Sequence, residues 1–160
     1  MADYSSHLNK AKENLSLLEH LEQNRENDLD WKVTLCFYAS LHLINAYLAK
    51  EKGWHYRTHI KVSHALNPYG DSDLKLDNDT FTSYEQLYKL SRRARYLCNT
   101  ETTDNYAHYI LSKHHKKAIK HLDKILIFFS KKYSEEFNTY CIDNVYFKNN
   151  NETKYLQFCG

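Results

Sequence analysis

The chain has 160 residues, of which 42% are hydrophobic, and its formal net charge is +2. This length and composition allow one domain with a hydrophobic core and exclude a disordered, highly charged tail. One proline and three glycines provide few breaks, which favours long helices over a sheet of many strands. No apolar run reaches the roughly 20 residues that span a bilayer, and residues 1–15 lack the pattern of a signal peptide. We therefore expect no contact with a membrane.

The first two predicted helices follow from apolar periodicity and from residues that favour helix ends. Over residues 6–25, apolar side chains recur at three- and four-residue steps, with a serine available as the cap. Asn27 or Asp28 can cap the second helix, which ends at Gly53. Two apolar stripes on this second helix predict that it lies in the middle of a bundle. The stripes are Trp31, Leu35, Tyr38 and His42, and Phe37, Leu41, Ile44 and Leu48.

Three further helices are predicted after Gly53. Thr58 can cap a short third helix, which must stop before Pro68 because proline restricts the residue that precedes it. An Asp-rich loop follows, and a fourth helix begins at about Phe81 with Thr80 as its cap. After a polar connector, the fifth helix covers about residues 105–133.

The C-terminal part has a different pattern. Residues 144–158 contain two β-prone runs on either side of an Asn-rich turn, which predicts a hairpin. A lone hairpin is marginal in water, so we expect it to pack on the bundle or on a partner. The predicted fold class is all-α, a single up-and-down bundle of about five helices with a short C-terminal β-hairpin. Residues 1–135 form the bundle and residues 136–160 form the extension.

The cysteine spacing argues against a structural zinc site. The chain has four cysteines, and no two of them have CxxC spacing. They are Cys36, Cys98, Cys141 and Cys159. A reduced cytoplasmic protein with free thiols is the prediction.

The stretch HYRTHIKVSH, residues 55–64, contains three histidines. His55 and His59 are four residues apart and would share a face if both were helical. The helix is expected to begin near Thr58, however, and the stretch has neither the glutamate of an HExxH motif nor an obvious third ligand. We therefore expect no metal and no cofactor. The alternative to a metal site is that His55 and His59 form hydrogen bonds with neighbouring side chains and fix the loop after the second helix.

Two other groups of polar residues stand out on the predicted helices. His42 lies on an otherwise apolar stripe, which favours a core residue that needs a polar partner such as tyrosine or arginine. Arg92, Arg93 and Arg95 cannot share one helix face, and Arg95 can turn toward the bundle interior. A buried guanidinium would need a carboxylate, a carbonyl or a bound phosphate. The alternative is a solvated basic turn.

A row of lysines on the fifth helix could follow a phosphate backbone. Residues 111–132 contain seven lysines and a single aspartate. The absence of interleaved aromatic residues that could read bases favours an ordinary solvated face instead. The lysines near one side of the helix are Lys113, Lys117, Lys120, Lys124 and Lys131.

Two stretches taken together resemble the HEPN family of prokaryotic helical-bundle proteins. They are FYASLHLINAYLAKEKGWHYRTH, residues 37–59, and YEQLYKLSRRARY, residues 84–96. The resemblance covers about residues 8–130. It implies a HEPN-like up-and-down bundle that is often a dimer. Many HEPN proteins are metal-independent ribonucleases of toxin–antitoxin, phage-defence or CRISPR-linked systems.

The family's catalytic signature is an arginine and a histidine with four to six residues between them. The single formal match here is Arg57 with His64, which lies earlier in the domain than is usual for the family. The resemblance implies that Arg57 stabilises a phosphoryl group and that His64 or His59 acts as acid or base. His42, Arg95 and Tyr96 are second-tier candidates for the same region.

The expected function is that of an RNA-directed HEPN protein of a prokaryotic defence or toxin–antitoxin system, with metal-independent RNA cleavage at this site. The alternative is a non-catalytic module that binds nucleotides, RNA or protein, as HEPN relatives without the signature do. Expected partners are RNA, bound by the lysine row, and an antitoxin or defence-system protein. A homodimer is also expected, because the tyrosine-rich helices leave more aromatic surface than one bundle buries.

Overall fold

A computed structural model describes residues 3–25, 27–56, 58–96, 104–143 and 152–159, without the side chains of residues 104–110. The described parts contain five helices and two short strands, which confirms the all-α fold class with a small C-terminal sheet. The helices are α1 (Tyr4–Asn24), α2 (Leu29–Lys52), α3 (His59–Leu66), α4 (Asn78–Tyr96) and α5 (Asp104–Tyr133), and the strands are β1 (Tyr140–Ile142) and β2 (Leu156–Phe158).

Helix α2 is the centre of the bundle, as its two apolar stripes predict. It packs against α1, α4 and α5, and α4 also packs against α5. It ends at Gly53, whose φ of 66° is left-handed and whose amide donates to the Ala49 carbonyl. Glycine accepts this backbone conformation without a steric penalty, so the predicted helix end is confirmed.

Two helices begin earlier than their predicted caps. Helix α1 is capped by Asp3, whose side chain accepts from the Ser6 amide at 2.8 Å. Helix α4 begins at Asn78 because the Asp77 carboxylate accepts from both the amide and the hydroxyl of Thr80. In both cases an aspartate accepts the first unpaired amides of the helix, and it lies three residues before the residue that donates to it.

The two C-terminal strands pair in parallel, with Tyr140 opposite Leu156 and Ile142 opposite Phe158. Parallel strands cannot be joined by a tight turn, so the sheet is not the antiparallel hairpin that the Asn-rich segment suggested. Most of the predicted first strand and turn lies outside the described residues. The sheet packs on the bundle, because buried Asp123 of α5 accepts the backbone amides of residues 154–156 at 2.7–3.2 Å.

A disulfide joins Cys141 of β1 to Cys159, and their Cα atoms are 5.5 Å apart. The prediction of free thiols is therefore wrong for this pair. Neither cysteine has a spacing signal, because the strand pairing that brings them together is not local in the chain. Cys36 is free and buried, and Cys98 lies outside the described residues. None of the helices in the described ranges combines the length and apolar content needed to span a bilayer.

Candidate functional site

The first residue of α3, His59, is packed against α4. Its Nδ1 lies 3.2 Å from the Tyr84 hydroxyl, and its ring stacks on that of Tyr88. Its Nε2 lies 3.7 Å from Glu85 Oε1, which also accepts from the Ser63 hydroxyl at 2.7 Å. Burial lowers the pKa of His59, against the opposing effect of Glu85. The side chain is therefore a neutral, closely packed ring at pH 7.

Phe37 of α2 also packs against this aromatic cluster of α3 and α4. Its ring packs against those of His59, Tyr84 and Tyr88, with centroids 5.5–6.2 Å apart. The two stretches that carry the family resemblance therefore meet in space, around Phe37 and His59.

Arg95 lies at the margin of the aromatic cluster and not in the bundle interior. Its guanidinium donates to the Tyr38 hydroxyl at 3.3 Å and lies over the rings of Tyr38 and Tyr96. Its Nε also donates to the Ser91 carbonyl. Tyr96 is 71% exposed. Arg95 is thus held by aromatic rings and a carbonyl, while Tyr96 faces solvent.

His42 has an imidazole as its partner, not the tyrosine or arginine suggested by its sequence context. Its Nδ1 lies 3.2 Å from Nδ1 of His7, and Nε2 of His7 lies 2.9 Å from Nδ1 of His55. We call His42, His7 and His55 the imidazole chain. His7 is buried, and burial, followed by the two neighbouring rings, lowers its pKa to about 4. Burial also lowers the pKa of His42.

His55 and His59 therefore belong to different clusters and do not converge on one point. Within the described residues, no group of three or more histidine, cysteine, aspartate or glutamate side chains is arranged to hold a metal ion. The imidazole chain illustrates why, since His7 faces one neighbour with each ring nitrogen. A single ion could not bind all three rings.

His64 is exposed and faces outward from α3, in contrast to His59. It lines a groove of about 650 Å³ together with Trp54, Tyr56 and Ile60. Asp71 and Asp73 lie on the same groove. Arg57, the other member of the predicted catalytic pair, lies outside the described residues.

A second groove, of about 340 Å³, lies at the end of α4 and has a basic lining. It is lined by Lys89, Arg92, Arg93 and Tyr96. The pKa of His114 on α5 is lowered by burial and then by Arg93 and Lys117. Because Arg93 acts on a residue of α5, the groove lies near the positive charges of that helix.

The lysine row on α5 is only partly available. Lys113, Lys117 and Lys124 are exposed. Lys120 is less exposed and forms an ion pair with Glu152 of the C-terminal segment. We call Lys89, Arg92, Arg93, Lys113, Lys117 and Lys124 the basic surface.

Sequence reasoning missed a charged cluster in the core. Glu22 of α1 contacts His115 Nε2 at 2.6 Å and Lys32 Nζ at 3.3 Å, and all three side chains are at most 1% exposed. Burial, followed by Glu22, raises the pKa of the nearby Cys36 thiol. The available signal was spacing, since Glu22 lies four residues after buried Leu18.

The chain matches no protein-family model, no curated protein and no solved structure. The HEPN assignment remains a prediction based on the two motifs.

Proposed function

We propose that this chain is an RNA-directed HEPN-type protein of a prokaryotic defence or toxin–antitoxin system, located in the cytoplasm, and that it binds RNA through the basic surface. The observation that carries the proposal is the groove lined by Lys89, Arg92, Arg93 and Tyr96. Three cations around one concave surface suit an anionic ligand, and lysine and arginine neutralise phosphates along a nucleic-acid backbone.

Tyr96 supports single-stranded RNA as the ligand. Its ring is 71% exposed beside the three cations, so a base can stack on it. Stacking of this kind is typical of proteins that bind single strands. It also supplies the aromatic group that the lysine row lacks in sequence.

A simpler explanation accounts for only part of the charge. Cations in the last turn of a helix are favoured by the helix dipole, which suits Arg93 and Arg95. Lys117 and Lys124 lie inside α5, far from its last turn. Lys117 acts on His114 as Arg93 does, and a common anionic ligand accounts for the closeness of these two cations.

Metal-independent cleavage by His64 is the catalytic form of this proposal. The observation that favours it is the exposed imidazole on the larger groove beside Trp54 and Tyr56. His59 is less suited to the role because its ring is packed between α3 and α4. Asp71 and Asp73 on the same groove would oppose a phosphate, which favours the alternative, a non-catalytic binding module.

A homodimer and a defence-system partner belong to the same proposal. Large apolar side chains are exposed on α2 and around the larger groove, and such surface is typical of contacts between proteins. They include Trp31, Tyr38, Trp54 and Ile60.

One experiment tests binding and cleavage together. A labelled single-stranded RNA is titrated at several salt concentrations, with and without a chelator, and both anisotropy and cleavage are followed. The test variant changes Arg92, Arg93, Lys117 and Lys124 to Gln. The control variant changes Lys10 and Lys75 to Gln, because these lysines are exposed outside the basic surface. The slope of log K against log salt is negative, and each lost phosphate contact should reduce its magnitude by about 0.7. Equal affinity and slope in the two variants would refute the basic surface.

The cleavage arm uses His64→Ala. If His64 is the acid or base, cleavage should fall by about 10²–10⁴-fold while binding and stability are unchanged, because the side chain is exposed. Unchanged cleavage would remove His64 from the site. RNA binding without cleavage by the wild-type protein would support the binding-module alternative, and cleavage that stops with the chelator would exclude the metal-independent mechanism.

A further inference from the structure

The imidazole chain joins three separate segments at one end of the bundle. His7 belongs to the second turn of α1, His42 belongs to α2, and His55 lies in the connector after Gly53. The RNA-binding proposal uses none of these contacts. Their geometry limits how many protons the three rings of the imidazole chain can hold.

Each ring–ring contact needs one hydrogen, donated by one nitrogen and accepted by the other. When all three rings are neutral, His7 donates at one nitrogen and accepts at the other, so both contacts at 3.2 and 2.9 Å are satisfied. One added proton is also accommodated. If it is on His42 or His55, that ring donates to His7; if it is on His7, that ring donates to both neighbours. A second added proton places two N–H groups against each other at one of the two contacts.

Burial lowers the pKa values of His7 and His42 by more than the carboxylates of Asp3 and Glu13 raise them. The charged groups that face the chain are Asp3, Lys10 and Glu13, while α2 and the described part of the connector contribute only His42 and His55. Asp3 accepts from the Ser6 amide, and Glu13 is paired with Lys10 at 2.8 Å. Among the described residues, the histidines with a carboxylate partner are His59 and His115, and neither belongs to the imidazole chain.

We propose that the imidazole chain is an acid-sensitive latch, which holds the first turns of α1 on the bundle at neutral pH and releases them in mildly acidic solution. Release separates His7 from both neighbours. His7 and His42 can then take up protons independently in water.

The direction of the pH effect follows from the lowered pKa of His7. Burial and the two rings lower that pKa from 6.5 to about 4, whereas the released ring regains its ordinary value of about 6.5. Between these values the released state binds more protons than the closed state, so acid favours release. The latch is complete above about pH 6.5 and is lost as the pH falls toward 4.

Release would uncover aromatic surface at the end of α5. Tyr4, in the first turn of α1, packs against Phe129 and Tyr133 with ring centroids about 6 Å apart. Phe129 is fully buried in the closed state. The latch therefore couples the charge state of three histidines to the exposure of a hydrophobic patch.

Hydrogen exchange at the amides of residues 5–12 tests the latch. It is followed between pH 7.5 and 5.5 and corrected for the intrinsic pH dependence of exchange. For the wild-type protein, opening should increase about fivefold for each ring that gains a proton on release, between pH 6.5 and 5.5. His7→Gln keeps one donor and one acceptor but cannot titrate, so the pH dependence of its opening should fall to the part that comes from His42. His20→Gln, an exposed change on the same helix, should behave like the wild type.

Equal pH dependence in His7→Gln and the wild type would overturn the proposal. If His7→Gln does not fold, His42→Gln serves instead, and its opening should also depend less on pH, because burial lowers the pKa of His42. A titration of the wild-type imidazole resonances gives an independent outcome. Uptake of two protons by the three rings without faster exchange in α1 would also refute the latch.

Discussion

The buried face of α1 carries a polar group near each end, and the two groups are held by different physics. His7 is 4% exposed and Glu22 is 2% exposed. Glu22 contacts a lysine and a histidine inside the core. Among the described residues, the ring nitrogens of His7 contact other imidazoles, and the imidazole chain reaches the half-buried His55.

This difference shows two ways in which a helix face can bury a titratable group. Glu22 lies beside a side chain of opposite charge, and losing that partner would leave a buried charge. At His7 the neutral form is retained, because burial disfavours the cation and no carboxylate among the described residues bonds to the imidazole chain. The Glu22 cluster is stabilised by opposite charges, whereas the imidazole chain is stable while its rings are neutral.

Removing the Glu22 charge should have the largest effect on stability. Glu22→Gln keeps the shape of the side chain but leaves Lys32 buried without its anion. The free energy of unfolding should fall by about 3–5 kcal/mol, measured by urea denaturation at pH 7.5. Glu13→Gln, at an exposed ion pair of the same helix, should change it by less than about 0.5 kcal/mol. Similar losses in the two variants would show that the core cluster is not held by charge.

Breaking the imidazole chain should have a smaller effect that depends on pH. His42→Ala leaves His7 without one of its partners, which should reduce the free energy of unfolding by roughly 1–3 kcal/mol at pH 7.5. Burial lowers the pKa of His42, so the wild-type protein loses stability as the pH falls below about 6.5. The variant lacks the part of this loss that comes from His42, so the difference between the two proteins should narrow at pH 5. A difference that widens in acid would contradict the comparison.

Most of the helical fold could be predicted because its signals are local. Residues close in sequence determine the period of α1, the end of α2 at Gly53 and the end of α3 before Pro68. The C-terminal sheet was predicted as a hairpin within residues 144–158, whereas its first strand lies earlier, at Tyr140–Ile142. Its parallel pairing and the disulfide of Cys141 depend on contacts across many residues, for which the sequence offers no period or turn.

The candidate site was harder to predict, because a polar residue on a helix is normally assigned to the solvent face. His7 and Glu22 extend the apolar stripe of α1 by one step in each direction, at four-residue spacing from Ala11 and Leu18. Following the spacing without regard to polarity would have identified both as buried. Their partners could not have been named, because each lies on another segment of the chain.

The smallest expected effect concerns the exposed pair beside the imidazole chain. Lys10 lowers the pKa of His42 and Glu13 raises it, both after the larger effect of burial. Lys10→Met should therefore raise the pKa of His42 and Glu13→Gln should lower it, as measured by an NMR titration of the imidazole resonance. Both variants should change the free energy of unfolding by less than about 0.5 kcal/mol, because the ion pair is exposed. The opposite shifts should shrink at about 1 M salt, where the Debye length is about 3 Å. Shifts of the same sign would mean that these substitutions act by disturbing the packing of α1, not by removing charge.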